Sequence, residues 1–227
     1  MNDDRVREAF RQECEALAGA VAGLSGADWT LPTRCVPWTV RDLLGHVCVV
    51  IDRLPDVLAA PAPGGAEISA AEYYRPDDRF SPRSNRTRVT AAEDRAARWA
   101  DGTDAAEDFA ATWRRAARLC GDRPAGRTVR TRHGDAMLLS EFLLTRVVEV
   151  ALHGLDLADA LGRDAWLTPA AGDAVAELIL GAEHAGAAGE PGGNRPRLLR
   201  KVTGREPLDG AEAARIERLG VRRLTLG

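Results

Sequence analysis

The run from Ala136 to Leu161 constrains this chain more than any other stretch: it is rich in apolar residues with polar ones interspersed, holds no proline, and is followed by Gly162, a usual punctuation for a helix end. It predicts a long helix. In its centre, Arg146-Val147-Val148-Glu149-Val150-Ala151-Leu152-His153-Gly154-Leu155-Asp156, a carboxylate and an imidazole stand four positions apart and therefore share one helix face. A second helical segment, Thr39 to Val47, carries His46 among apolar neighbours. Two histidines and a glutamate make a candidate metal triad.

Each member has a plainer reading beside it. A lone histidine in an amphipathic helix is more often a satisfied buried side chain than a ligand. Glu149 shifts that balance. An unpaired carboxylate among Val147, Val148, Val150 and Leu152 needs solvent, a cation or a strong donor, and an ion pair with Arg146 would also serve. Asp156 lies one turn beyond His153 and is a candidate partner for orienting it, with Arg146 a second candidate beside the triad.

Bulk properties narrow the setting. Only 5% of the residues are aromatic, so the core must be built mainly from Leu, Val and Ala, which favours packed helices. The 31 basic and 34 acidic residues are interspersed, and no electrostatic footprint for nucleic acid or anionic lipid stands out. Met1 to Arg5 opens into a charged amphipathic stretch, and no apolar run reaches transmembrane length, so a cytoplasmic location is expected. Cys14, Cys35, Cys48 and Cys120 lack zinc-knuckle or C-x2-C spacing and are read as packing thiols that the chemistry does not need.

Apolar periodicity predicts a first helix over about residues 3 to 24. A second begins at the T-x-x-D signal of Thr39 and fades near Pro61, about twenty residues on. Residues 67 to 88 read as a long crossover. A third helical region runs to Cys120 with a break at Asp101-Gly102-Thr103, and the Ala136 to Leu161 helix is the fourth. Four helices with one long crossover describe an all-α bundle. Further helices are expected over 169 to 185 and 209 to 219, around a flexible stretch from Gly186 to Gly193. The expected organisation is a metal-binding bundle over 1–165 and a helical extension over 166–227 packed on it, with no second core.

With these residues in view, the sequence resembles the DinB-like helical bundles, and specifically the maleylpyruvate isomerase family of mycothiol-dependent enzymes. The resemblance rests on Pro32 through His46, on Arg146 through Asp156, and on Thr203-Gly204-Arg205. It implies a DinB-like four-helix bundle with a divalent metal at one end, held by His46, Glu149 and His153. Some relatives append a sterol-carrier-like domain, whereas this chain has a short tail. Arg75, Arg79, Arg83 and Arg86 in the crossover are candidates for holding the thiol by position alone, and His133 and His184 read as surface histidines.

The resemblance implies an enzyme that uses zinc and mycothiol and acts on a small electrophile; a monomer or homodimer is expected. Two histidines and a carboxylate leave zinc an open position and a net charge near +1, which suits a thiolate. The leading expectation is S-transfer from the metal-bound thiol. Cis-trans isomerisation of the maleylpyruvate type is the alternative, since it also requires a dicarboxylate site that no motif reveals. A metal-dependent hydrolase and a non-catalytic metal-binding protein use the same triad.

Overall fold

The computed structural model describes residues 2–77, 81–181 and 194–218. The bundle is formed by α1 (Asp3–Val21), α2 (Val40–Ile51), α6 (Gly102–Gly121) and α7 (Leu139–Ala160). α1 packs on α6 and α7, and α2 packs on the same two from the other side. Between α2 and α6 lie α3 (Arg53–Ala59), α4 (Ala70–Tyr73) and α5 (Pro82–Ala96), and α5 lies along α2. That approach is close enough that a Cβ on Gly45 would fall 2.6 Å from the carbonyl oxygen of Ala92. Glycine at this position lets α5 roof the segment that carries His46.

The helix ends follow local chemistry. Asn2 caps α1, and the apolar stripe Val6, Phe10, Cys14, Leu17 and Val21 is buried as the periodicity requires. Thr39 and Asp42 form a reciprocal capping box that starts α2 at Val40. The expected twenty-residue second helix is instead broken at Asp52, because Pro55 has no N–H to offer the Ile51 carbonyl and its ring crowds that group. The break after Trp99 is real, with Asp101 capping α6. The crossover is shorter than expected, since α4 interrupts it and Ser81-Pro82 starts α5.

Ala136 to Leu138, expected as the first turn of the long helix, is a strand. β1 (Thr128–Arg130) and β2 (Ala136–Leu138) pair antiparallel with Val129 opposite Met137, and Gly134 makes the turn at φ 95°. The backbone N–H groups of Glu67 and Ile68 both donate to the Ala136 carbonyl, so that oxygen is already engaged outside any helix. α7 then runs to Ala160 and ends before Gly162 at φ 61°.

Beyond the bundle, α8 (Pro169–Leu180) packs on α1 and α7 and ends at Gly181, short of the expected residue 185. α9 (Arg195–Val202) was not expected; Asn194 caps it and it rests on α7 and α8. α10 (Gly210–Arg218) covers the expected final helix. The stretch read as flexible, Gly186 to Gly193, lies outside the described residues. No described helix is long and apolar enough to cross a membrane.

Candidate metal centre

α2 and α7 deliver the triad. The capping box sets the start of α2, and two turns later the His46 ring emerges beside α7, where Glu149 and His153 share a face. Glu149 Oε2 lies 3.4 Å from His46 Nε2 and 3.4 Å from His153 Nε2. These separations exceed good hydrogen-bond lengths. They match the edge of a tetrahedron with bonds of 2.0–2.1 Å, roughly 3.3–3.4 Å, as histidine nitrogen and carboxylate oxygen give around zinc. The three donor atoms all lie within 4.8 Å of one another, so this set fits a divalent metal.

The surroundings hold each donor in place. The Trp38 ring stacks on His46 with centroids 4.7 Å apart. Tyr74 donates its hydroxyl hydrogen to the Thr145 carbonyl at 3.0 Å, with Glu149 Oε1 at 3.4 Å. Asp156, fully buried, sits 3.1 Å from His153 Nδ1. A proton on Nδ1 satisfies Asp156 and leaves Nε2 facing Glu149, the arrangement that orients metal-binding histidines. Arg205 in turn clamps Asp156 with Nε and a terminal nitrogen, each at 2.8 Å. Cys35 Sγ donates to Asp156 Oδ2 at 3.3 Å.

The electrostatics follow from these partners. Burial lowers His46 to about 4 despite the neighbouring Glu149, which keeps its imidazole neutral and its lone pair available. Burial pushes Glu149 up, but His153 and His46 outweigh it and hold the carboxyl well below its usual range. His153 is also disfavoured as a cation by burial, yet Asp156 first, then Cys35 and Glu149, raise it well above its ordinary value. Asp156 stays ionised because His153 and Arg205 overcome its burial. Cys35, His153 and Asp156 also cluster within ligand spacing, but Arg205 and His153 already engage both Asp156 oxygens, which suits a supporting network.

A cavity of about 190 Å3 opens beside the triad. Among the described residues five arginines line it, Arg53, Arg88, Arg132, Arg146 and Arg205, against one carboxylate, Glu149. The described crossover candidates Arg75, Arg83 and Arg86 do not line it, although Arg88 at the end of the same stretch does. Arg75 faces Asp77 and Asp135 at 3.8 and 4.0 Å, Arg83 and Arg86 are exposed on α5, and Arg79 lies outside the described residues. Arg146 does not form the ion pair with Glu149 that its spacing allows; it donates to the Val50 carbonyl at 3.1 Å and its guanidinium sits over Phe142. His133, read as a surface residue, is half-buried and lines the cavity beside Tyr73, while His184 lies outside the described residues. Cys14, Cys48 and Cys120 are buried thiols, the last pushed up to about 12 by burial, whereas Cys35 stands at the centre itself.

Sequence reasoning missed Cys35, Trp38 and Tyr74 as neighbours of the triad. Arg205 was visible only through the Thr203-Gly204-Arg205 motif, where Gly204 at φ 74° turns the chain back toward α7.

Fold and site together define a DinB-like helical bundle with a His/Glu/His cluster between two of its helices. The chain belongs to the family described as the mycothiol maleylpyruvate isomerase N-terminal domain, whose sequence model matches residues 10–158. That span holds His46, Glu149, His153 and Asp156 and leaves Arg205 outside. Two similar solved structures are crystal structures of the mycothiol-dependent maleylpyruvate isomerase, one of them a histidine-to-alanine mutant. The mutant superposes with a TM-score of 0.60 at 15% identity and the other with 0.56 at 17% identity, each over 91% of this chain and 90% of the other. Similarity at this level shows a shared fold. No curated protein sequence matches this chain.

Proposed function

We propose that the protein is a metal- and mycothiol-dependent isomerase of the maleylpyruvate type, with His46, Glu149 and His153 holding a divalent metal, most simply zinc. The observation that carries this reading is the pair of 3.4 Å separations at the wall of the cavity, with His153 locked from behind by Asp156. Bound there, the metal would acidify the thiol, whose reversible addition to a conjugated double bond permits rotation from cis to trans. Glu149 brings the site's formal charge down to near +1. Asp156 fixes the His153 tautomer, and Arg205 keeps Asp156 ionised within a buried setting. Trp38 and Tyr74 limit the motion of His46 and Glu149.

The S-transfer expected from the sequence yields to isomerisation because the family description and both structural neighbours carry the isomerase activity in their names. The test is turnover of a cis-conjugated oxo-acid followed by ultraviolet absorbance, with metal and mycothiol supplied separately and together. Isomerisation that needs both supports the proposal. Stable thioether products would restore S-transfer, turnover with metal alone would indicate a hydrolase, and metal binding without turnover would indicate a non-catalytic protein.

A further inference from the structure

Arg146 is a buried cation with no ion-pair partner among the described residues. It is 2% exposed, gives one hydrogen bond to the Val50 carbonyl, and leaves its buried Nε without a hydrogen-bond partner among the described residues. Phe142 and Tyr73 supply ring faces, which offset only part of the cost of taking a guanidinium out of water. Of the other four arginines that line the same cavity, Arg205 is taken by Asp156, while Arg53 is half-buried and Arg132 stands at the rim.

These cations aggravate one another. Arg53 is held below the usual arginine range by burial first and then by Arg132 and Arg146; Arg132 keeps part of its surface in solvent, yet the covered part of its side chain and then Arg88 and Arg146 lower it as well. Arg53 makes no hydrogen bond or ion pair among the described residues, and Arg132 donates only to its neighbour His133. Glu149 offsets only a small part of this at Arg132, since its Oε2 is turned to the two histidines. A wall that gathers like charges and leaves them unneutralised is organised for an anion that arrives from outside.

We propose that Arg53, Arg132 and Arg146 form an oxyanion-binding subsite that takes a carboxylate of the substrate. Arg146 and Glu149 are three residues apart on α7, an axial rise of about 4.5 Å. The subsite therefore begins one helical turn from the His/Glu/His atoms, and its ligand is a short-chain acid whose carboxylate lies a few bonds from the reacting carbon. The inference deepens the proposed function by placing the substrate's charge, yet it is tested without thiol or turnover, so the two can fail separately.

The test is calorimetric titration of the full-length protein with succinate, using succinamide as the uncharged control, with and without a chelator. Succinate should bind, succinamide should bind at least tenfold more weakly, and the chelator should leave succinate binding in place. Arg146→Met and Arg53→Gln should each weaken succinate about tenfold, or about 1.4 kcal/mol. Arg53 is half-buried, so its variant carries the test should Arg146→Met fail to fold. Equal binding of succinamide, wild-type affinity in Arg53→Gln, or loss of binding with the chelator, which would place the carboxylate on the metal, would overturn the subsite.

Discussion

Two glutamates sit on neighbouring helices, one on α7 and one on α1, and their environments drive them in opposite directions. Glu149, on α7, has imidazoles on two sides and is held well below the ordinary carboxyl range, although 80% of its side-chain surface is covered. Glu13, on α1, is 1% exposed and raised to about 7 by burial. Its Oε2 accepts hydrogen bonds from the Thr168 backbone N–H at 2.9 Å and hydroxyl at 2.6 Å, while its buried Oε1 has no hydrogen-bond partner among the described residues. Neutral donors soften the loss of water without reversing it, whereas cationic partners reverse it. Burial alone therefore does not mark a functional carboxylate. The groups facing it do.

The sharpest way to break this contrast is Glu149→Gln, which keeps size and helix propensity and removes the charge. Metal affinity should fall by more than the 10–100-fold typical of losing an outer partner, and thiol-dependent turnover should fall with it, partly rescued by excess metal. Circular dichroism should show an intact bundle, with a stability change of about 1 kcal/mol. Wild-type metal affinity by competition with a chromophoric chelator would remove Glu149 from the ligand set.

Asp156→Asn tests the next layer. Asparagine can still meet Arg205 or His153 but no longer balances both, so the His153 tautomer loses its anchor. Metal affinity should fall about 10–100-fold with the triad intact. An unchanged affinity would assign Asp156 and Arg205 to packing the extension against α7.

The triad was legible in the sequence because its decisive pair is local: i and i+4 on one helix share a face whatever else the chain does. The helices were legible for the same reason, down to the Thr39 box and the Gly162 stop. What escaped depends on contacts distant in sequence. Ala136 to Leu138 carries apolar residues like any helix start, and only pairing with Thr128 to Arg130 and the donors from Glu67 and Ile68 make it a strand. The crossover arginines drew attention because they cluster in sequence, while the cavity takes its five from α3, α5, the hairpin turn, α7 and the segment after α9. No window along the chain shows that convergence.

Glu13→Gln tests the other side of the comparison. With a folded pKa of about 7 against an ordinary 4.5, the native state holds a proton between those values that the unfolded chain has released. Stability therefore falls as pH rises from about 4.5 to about 7 and is level above that. The rise corresponds to about 3 kcal/mol at most. Glu13→Gln, still able to accept from Thr168, should be more stable than wild type by up to that amount at pH 8 and nearly equal to it at pH 4.5, by urea denaturation. Parallel curves across the whole range would show that Glu13 is not the titrating group.

Thr168→Ala should act in the opposite direction and more weakly. Thr168 donates to Glu13 Oε2 through its hydroxyl and accepts from the Ala171 N–H as the cap of α8, so one substitution removes a stabiliser of the carboxylate and a helix cap together. The cap accounts for about 1 kcal/mol that does not depend on pH. The lost donor leaves the Glu13 anion with the backbone N–H alone, which moves its titration above 7 and extends the falling limb of the stability curve to higher pH. The two parts separate in a Thr168→Ala, Glu13→Gln double variant, where the cap loss should remain and the pH dependence should vanish. A carbon-13 titration of Glu13 that stays at its wild-type position in Thr168→Ala would show that the backbone donor alone sets the carboxyl, and that a neutral hydroxyl contributes nothing to the difference between the two glutamates.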